Sequence, residues 1–266
     1  MFRTRLLSGI ILLAIMITVV ITGGNVLFAV LLTISLIGMT ELYKVIGMDK
    51  SLPGFLGYAA GLSYYVLVYF EATEYQLMVF IFFLLLLMLF YVFYYPKYRI
   101  EQLAVTFFGL FYVSIMLSFI YQVRILEGGI WIVWLIFIGA WGSDTCAYAV
   151  GILLGKHKLA PKLSPKKSIE GSIGGIVGSA LIGFLYATVC RNHITGIDQP
   201  QLMYAIIGAC SSVLSQLGDL AASAIKRNHD IKDYGKLIPG HGGILDRFDS
   251  IIFTAPIVYY LTVLLR

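Results

Sequence analysis

The sequence predicts an all-α polytopic membrane protein with about nine transmembrane helices, and three observations predict it. Of its 266 residues, 59% are hydrophobic and only 12% are charged, about half the roughly 25% charged share of a globular chain. Mean hydropathy is +0.89, and a soluble domain of this length could not cover itself with so few polar residues. The apolar residues also fall in runs near the roughly 20 that a helix needs to cross about 30 Å of hydrocarbon. These runs lack alternation and are too long for barrel strands, so a β-barrel is excluded with the soluble, disordered, fibrous and collagen-like classes.

Between Arg5 and Glu41 there is no charged residue. That stretch holds two short spans, and Gly23-Gly24-Asn25 supplies the turn. The first span has a basic start but runs directly into the second without a small-residue cleavage site. It is therefore expected to be a retained helix, not a signal peptide. Uncharged runs follow at 51–70, 75–96 and 102–123. The sixth span, 130–154, carries Asp144 inside it. The seventh and eighth are 171–190 and 199–218. The last run, 250–265, is short and needs preceding residues to complete the crossing.

Nine spans put the termini on opposite sides, and the basic residues test the count. Sixteen of the 19 Lys and Arg then share one face: Arg3, Arg5, Lys44, Lys50, Lys97, Arg99, the five lysines of 155–170 and five more within 223–249. Arg124, Arg191 and Arg266 take the other. Such asymmetry is what the positive-inside rule expects. The N-terminus is expected in the cytoplasm and the C-terminus outside, in the inner (plasma) membrane. The net charge of +5 thus reflects sidedness, and no nucleic-acid partner is expected. Cys146, Cys190 and Cys210 show no CxxC spacing and are expected to be small buried hydrophobes.

Acids are few, so their positions carry information. Glu41, Asp49, Glu71, Glu74, Glu101, Glu127 and Asp198 sit at span ends or in loops, where solvated caps and loop charges account for them. Asp144, in Trp141-Gly142-Ser143-Asp144-Thr145, lies inside a span. Asp219, in Ser215-Gln216-Leu217-Gly218-Asp219, lies near the cytoplasmic end of the next helix but one. A carboxylate within a span costs about 2.5–3.5 kcal/mol or more on insertion scales, so both point to function or to a structural ion pair. Asp246 and Asp249, spaced i,i+3, share a face if the last helix begins near Gly243; acids in a first turn also suit the helix dipole.

From Asp219, Ser223 and then Lys226 or Arg227 continue one helical stripe. Carboxylates from two helices among lysines and arginines suit a hard cation such as Mg²⁺, which binds one or two carboxylates and completes its shell with water and substrate phosphates. Pro239-Gly240-His241-Gly242-Gly243 lets the backbone approach a ligand closely and offers N–H groups to an anion. His241 is either a phosphate donor or a turn residue. In Ser164-Pro165-Lys166-Lys167-Ser168-Ile169-Glu170-Gly171, Lys166, Lys167 and Ser168 make a second phosphate-binding stretch. Pro165 suits a first helical turn and Ser164 or Ser168 a cap. Glu170 either pairs with a lysine or helps to hold a cation.

The run from Ser223 to Asp249 meets every fixed position of SxxKRxxxxKDxGxxxPGHGGxxDRxD. This closely resembles the signature of the phosphatidate cytidylyltransferases, or CDP-diacylglycerol synthases, and the segments around Asp144 and 164–171 resemble that family too. The resemblance implies a Mg²⁺-dependent transfer of CMP from CTP to phosphatidic acid, giving CDP-diacylglycerol and pyrophosphate for phospholipid biosynthesis. It implies Asp219 and Asp246 as metal ligands, a homodimer, and a second, monovalent cation such as K⁺.

Residues 1–128 are then expected to form a lipid-facing scaffold with dimer or lipid contacts. Residues 129–266 form the catalytic transmembrane region, with cytoplasmic loops 155–170 and 223–249. Asp219 and Asp246 hold the metal, with Asp144 and Asp249 as outer or alternate ligands. Lys226, Arg227, Lys232 and Arg247 steady the triphosphate or pyrophosphate. Lys166, Lys167 and Ser168 approach a phosphate, and Gly240, Gly242 and Gly243 close on the nucleotide. The substrate phosphate is largely ionised already, so no general base is assigned.

Two rivals remain. An ion-coupled transporter would also place acids in spans, but it predicts acids spread along a path and an inverted repeat, and neither is evident. A related membrane enzyme acting on a long-chain alcohol is disfavoured by the complete signature.

Overall fold

A computed structural model describes residues 2–194 and 196–266, with the side chains of residues 2–6 outside the description. Arg3 and Arg5, part of the charge asymmetry, are thus described in backbone only. Helices occupy each predicted span: α1 (Phe2–Thr22), α2 (Gly24–Val45), α3 (Leu52–Tyr69) and α4 (Gln76–Phe93). They continue with α5 (Ile100–Ile125), α6 (Gly129–Leu154), α7 (Ile169–Val189), α8 (Pro200–Asn228) and α9 (Leu245–Leu265). Among the described residues, seven helical segments are long and apolar enough to cross a membrane; α3 and the described part of α1 are not among them. The described residues are all-α apart from one small hairpin.

That hairpin is the first departure from expectation. Lys158–Ala160 (β1) pairs antiparallel with Ser164–Ser168 (β2). Pro165 therefore lies in a strand and not in a first helical turn. Its missing N–H is tolerated because a two-stranded hairpin has only edge strands. Ser168 is the N-cap of α7, its Oγ accepting from Gly171 N at 3.1 Å. α9 starts at Leu245, two residues after Gly243, and so gains the residues that 250–265 lacked.

The chain divides into two compact units. The first comprises residues 1–121 and 233–246; the second comprises 122–232 and 247–266.

In the first unit, Ser51 caps α3 by accepting from Gly54 N at 3.1 Å, with Pro53 in the first turn. That is the residue pattern expected at a helix start. Tyr43 of α2 is fully buried and donates its hydroxyl to Thr106 O of α5 at 2.7 Å. Its ring lies so close to Gly57 and Gly109 that a Cβ at either would overlap it. Ser35 and Tyr65 bond at 2.9 Å between α2 and α3. Each pair satisfies a polar group that hydrocarbon could not solvate. α4 is the opposite kind of helix: Leu77, Ile81, Phe82, Leu85, Val92 and Phe93 are all exposed, the side-chain set of a helix meant for lipid contact.

In the second unit, α7 packs on α6 and α8 through small residues. Gly174 faces Val150, Gly178 faces Cys146, Gly183 meets the Tyr204 carbonyl, and Gly208 of α8 meets the Ser179 carbonyl. A Cβ at these glycines would drive the helices apart, so their absence sets the close approach. A π turn at Ile138–Gly142 interrupts α6 one residue before Ser143 and Asp144. Such turns re-aim the residues after them and recur at functional sites.

Candidate active site

In the second unit, three elements deliver acids and a fourth delivers a base. Asp144 stands on α6 just after the π turn, Asp219 on α8, and Asp249 in the first turns of α9. Lys167 comes from β2. Lys167 Nζ lies 2.5 Å from Asp219 Oδ2, and both side chains are partly shielded. The contact is an ion pair without the alignment of a hydrogen bond. Asp144 is within electrostatic reach of both Lys167 and Asp219. Asp249 is within reach of Asp219, Lys226 and Arg247. Asp219 is the neighbour common to both groups.

α8 explains this placement. It runs on for ten residues beyond Gly218, to Asn228, about 15 Å at 1.5 Å per residue. Asp219, Ser223 and Lys226 therefore stand on successive turns of one face. Gly218 lets α8 approach α9, since a Cβ there would meet Asp249 O and the ring of Phe253.

Beneath the acids lies a polar layer that the sequence did not single out. Ser143 Oγ and Ser212 Oγ are 2.6 Å apart, and Gln216 Nε2 donates to Ser172 O at 3.2 Å. The Ser172 hydroxyl donates to Gln216 Oε1. These bonds tie α6, α7 and α8 together directly next to Asp144 and one turn from Asp219. Buried, satisfied polar contacts of this kind fix helix register. The only available signal was serines at helical spacing, which core packing explains equally well.

The remaining predicted residues differ in exposure. Lys166, Arg227, Lys232 and Arg247 are exposed, and Lys226 and Ser223 are half-buried. Ser168 is buried, and its hydroxyl is engaged in capping α7. Glu170 contacts His157 instead of a lysine. Its Oε1 lies 2.6 Å from His157 Nδ1, and its carboxylate accepts from the backbone N–H of Lys156 and His157. That contact closes the base of the hairpin.

The first unit contains the glycine-rich segment. Asp246 is 5% exposed, and its Oδ2 accepts from Tyr234 N at 2.8 Å and Gly243 N at 3.0 Å. Gly240 and Gly242 adopt φ of 80° and 87°, where glycine has no steric penalty. Ile238 N donates to Gly242 O, and His241 N donates to Ile238 O. His241 is half-buried, and its Nδ1 lies 3.0 Å from Ser8 Oγ, which also donates to Pro239 O.

One acid overturns its expected role. Glu41 is not a solvated span-end charge but is 7% exposed. Its two oxygens accept from Ile244 N at 3.0 Å and Leu245 N at 2.8 Å. The N–H groups of Gly243, Ile244 and Leu245 thus all point at carboxylates of the chain itself.

A divalent cation would need donors from this group. Among the described residues, no three or more His, Cys, Asp or Glu side chains converge tightly enough to hold a metal ion. Mg²⁺ does not require three: one or two carboxylates plus water and phosphate suffice. Asp219 already accepts a positive charge, the Lys167 ammonium, with two further acids in reach. Carboxylates of this kind fit such an ion chemically.

Comparison with known proteins gives this arrangement a family. Residues 3–265 match the family described as "Cytidylyltransferase family". A phosphatidate cytidylyltransferase of Bacillus subtilis is 34% identical over 269 residues, covering 98% of this chain and 98% of that protein. One from Rickettsia felis is 32% identical over 59% of this chain and 69% of its own length. One from Synechocystis is 40% identical over 52% of this chain and 45% of its own. With a match running almost from end to end, the chain belongs to the cytidylyltransferase family.

Proposed function

We propose that the chain is a phosphatidate cytidylyltransferase, a nucleotidyltransferase that converts CTP and phosphatidic acid to CDP-diacylglycerol and pyrophosphate. The observation that carries this is the Lys167–Asp219 ion pair, with Asp144 and Asp249 within electrostatic reach of Asp219, and Lys226 and Arg247 within reach of Asp249. The end-to-end likeness to the Bacillus subtilis enzyme supports it.

The chemistry sets an electrostatic problem. A phosphatidate oxygen attacks the α-phosphorus of CTP, the α–β anhydride bond breaks, and pyrophosphate leaves. Both substrates are anions, so opposing charge must be in place before they meet. Lys226, Arg227, Lys232 and Arg247 supply it around the triphosphate and hold the leaving pyrophosphate. Lys167 sits deeper and contacts the phosphate nearest Asp219, while Lys166 adds charge at the rim. Asp219 and Asp246, with Asp144 and Asp249 as alternates, are the residues the family signature implies would hold Mg²⁺, which would supply further charge neutralisation. A K⁺ ion beside it and a homodimer are the other expectations that come with the family signature.

The nucleophile arrives largely ionised, because a phosphate monoester has its second pKa near about 6. No side chain therefore has to remove a proton. The acyl chains remain among the helices, and CTP arrives from the cytoplasm at the face of the inner (plasma) membrane. The basic loops 155–170 and 223–249 meet it there.

The test is incubation of the purified protein with labelled CTP and phosphatidic acid, with and without Mg²⁺. The expected result is a labelled liponucleotide and pyrophosphate in equal amounts, dependent on both substrates and on the metal. Failure to form any liponucleotide rejects the assignment. Ion movement across vesicles without CTP turnover would instead favour a carrier.

A further inference from the structure

From the position of one buried carboxylate, we infer that Glu41 of α2 is a positioning residue for the reaction. It holds the Gly-rich segment and the first turn of α9, and thereby orients Asp246. The inference rests on the cytidylyltransferase assignment for its kinetic arm only.

A carboxylate so deeply buried is costly unless its oxygens are satisfied. Glu41 gives one oxygen to Ile244 N and the other to Leu245 N. These are orphan donors at the start of α9, and a negative charge at a helix N-terminus is favourable. Charge-assisted bonds of this kind are roughly twice as strong as neutral ones. Two glycines make room for it: a Cβ on Gly235 or Gly243 would collide with the Glu41 carboxyl.

Asp246 completes the arrangement from the other direction. It is the second residue of α9, and its Oδ2 accepts from Tyr234 N and Gly243 N. Two acids thus hold four backbone N–H groups, and the segment between Tyr234 and Asp246 is clamped at both ends. Glu41 binds the residues immediately before and at the helix start, so its loss frees the turn that aims Asp246. The scaffold half of the chain therefore contributes to the chemistry without touching substrate.

The test uses the full-length protein in detergent. Glu41→Gln keeps the shape but turns an amide NH₂ toward a backbone donor. Hydrogen exchange at the Ile244 and Leu245 amides should accelerate while the amides of α7 and α8 stay protected. Activity should fall by roughly 10–100-fold, the range seen when an orienting partner of a ligating group is removed. The loss should appear in kcat and in the Mg²⁺ concentration for half-maximal rate, with KM for CTP little changed. Glu41→Asp, which retains the charge, should recover part of the rate.

Wild-type kinetics and wild-type protection in Glu41→Gln overturn the inference, as does a uniform loss of protection across all helices. Should that variant not fold, Gly235→Ala gives the same answer by crowding the carboxyl. It must reproduce the exchange at Ile244 and Leu245 together with the loss in kcat, and wild-type behaviour there overturns the inference. If the wild-type protein makes no liponucleotide, the functional assignment fails, while the exchange measurement still decides whether Glu41 holds the turn.

Discussion

Lys166 and Lys167 show what one residue of displacement decides. Adjacent strand residues point to opposite faces, and in β2 only Lys167 turns inward to meet Asp219. Lys167→Ala should therefore depress liponucleotide synthesis far more than Lys166→Ala, by about tenfold or more, the scale of one charged contact of roughly 1.4 kcal/mol. Equal losses in steady-state assays of the two variants would show that the strand register is irrelevant to catalysis. Asp219→Asn should be more damaging still. It keeps the volume but removes the charge that both acid groups surround, and turnover should drop beyond the roughly 10–100-fold typical of outer contacts. Retained Mg²⁺-dependent turnover in that variant removes Asp219 from the metal. Asp219 was visible because a carboxylate within a span is costly, and Lys167 because it stands with Lys166 and Ser168 in a stretch suited to a phosphate. Glu41 was invisible for the converse reason: an acid at the end of an apolar run looks like any solvated cap. Its partners are backbone amides some 200 residues away, and they leave no trace in composition.

At the scale of elements, hydrophobic runs predict rods but not the spacing between them. The helical segments fell where the runs lay, because roughly 20 apolar residues have few alternatives in lipid. The β1–β2 hairpin was not legible. It is short and lysine-rich, and is closed by Glu170 on His157 instead of by an alternating pattern. The π turn before Asp144 was equally hidden, since one extra residue in a helical turn changes no periodicity that a short window detects. The spacing is set by glycines, and they can be tested. Gly183 lies against the Tyr204 carbonyl, a backbone atom that cannot rotate away, whereas a Cβ at Gly142 would make only ordinary contact with Ile182. Gly183→Ala should destabilise the second unit by about 1–3 kcal/mol, the usual scale of overpacking. Gly142→Ala should cost less than that, as judged by thermal unfolding in the same detergent. If the two variants unfold together, the close approach of α7 and α8 does not support the unit.

At the scale of the whole molecule, the question is which side of the membrane the basic loops face. The charge distribution sets an expectation through a rule about insertion: short loops rich in Lys and Arg stay in the cytoplasm. Loop 155–170 carries five lysines, and residues 226–236 add Lys226, Arg227, Lys232 and Lys236. The turn between α7 and α8 carries Arg191 alone. Within the second unit, therefore, α7 should leave the cytoplasm and α8 should return to it. This determines whether a water-soluble nucleotide can reach Asp219 and Lys167 from the compartment that contains CTP. Cys146, Cys190 and Cys210 are the native thiols, and replacing them permits single-cysteine labelling with a membrane-impermeant reagent. Cysteines at Lys162 and Lys232 should label only in inside-out vesicles, and one at Asn192 only in right-side-out vesicles or whole cells. Labelling of Lys162→Cys and Asn192→Cys from the same side would mean that α7 does not cross. Reversal of all three would put the acids on the wrong side for CTP, and the proposed reaction could not draw on the cytoplasmic pool.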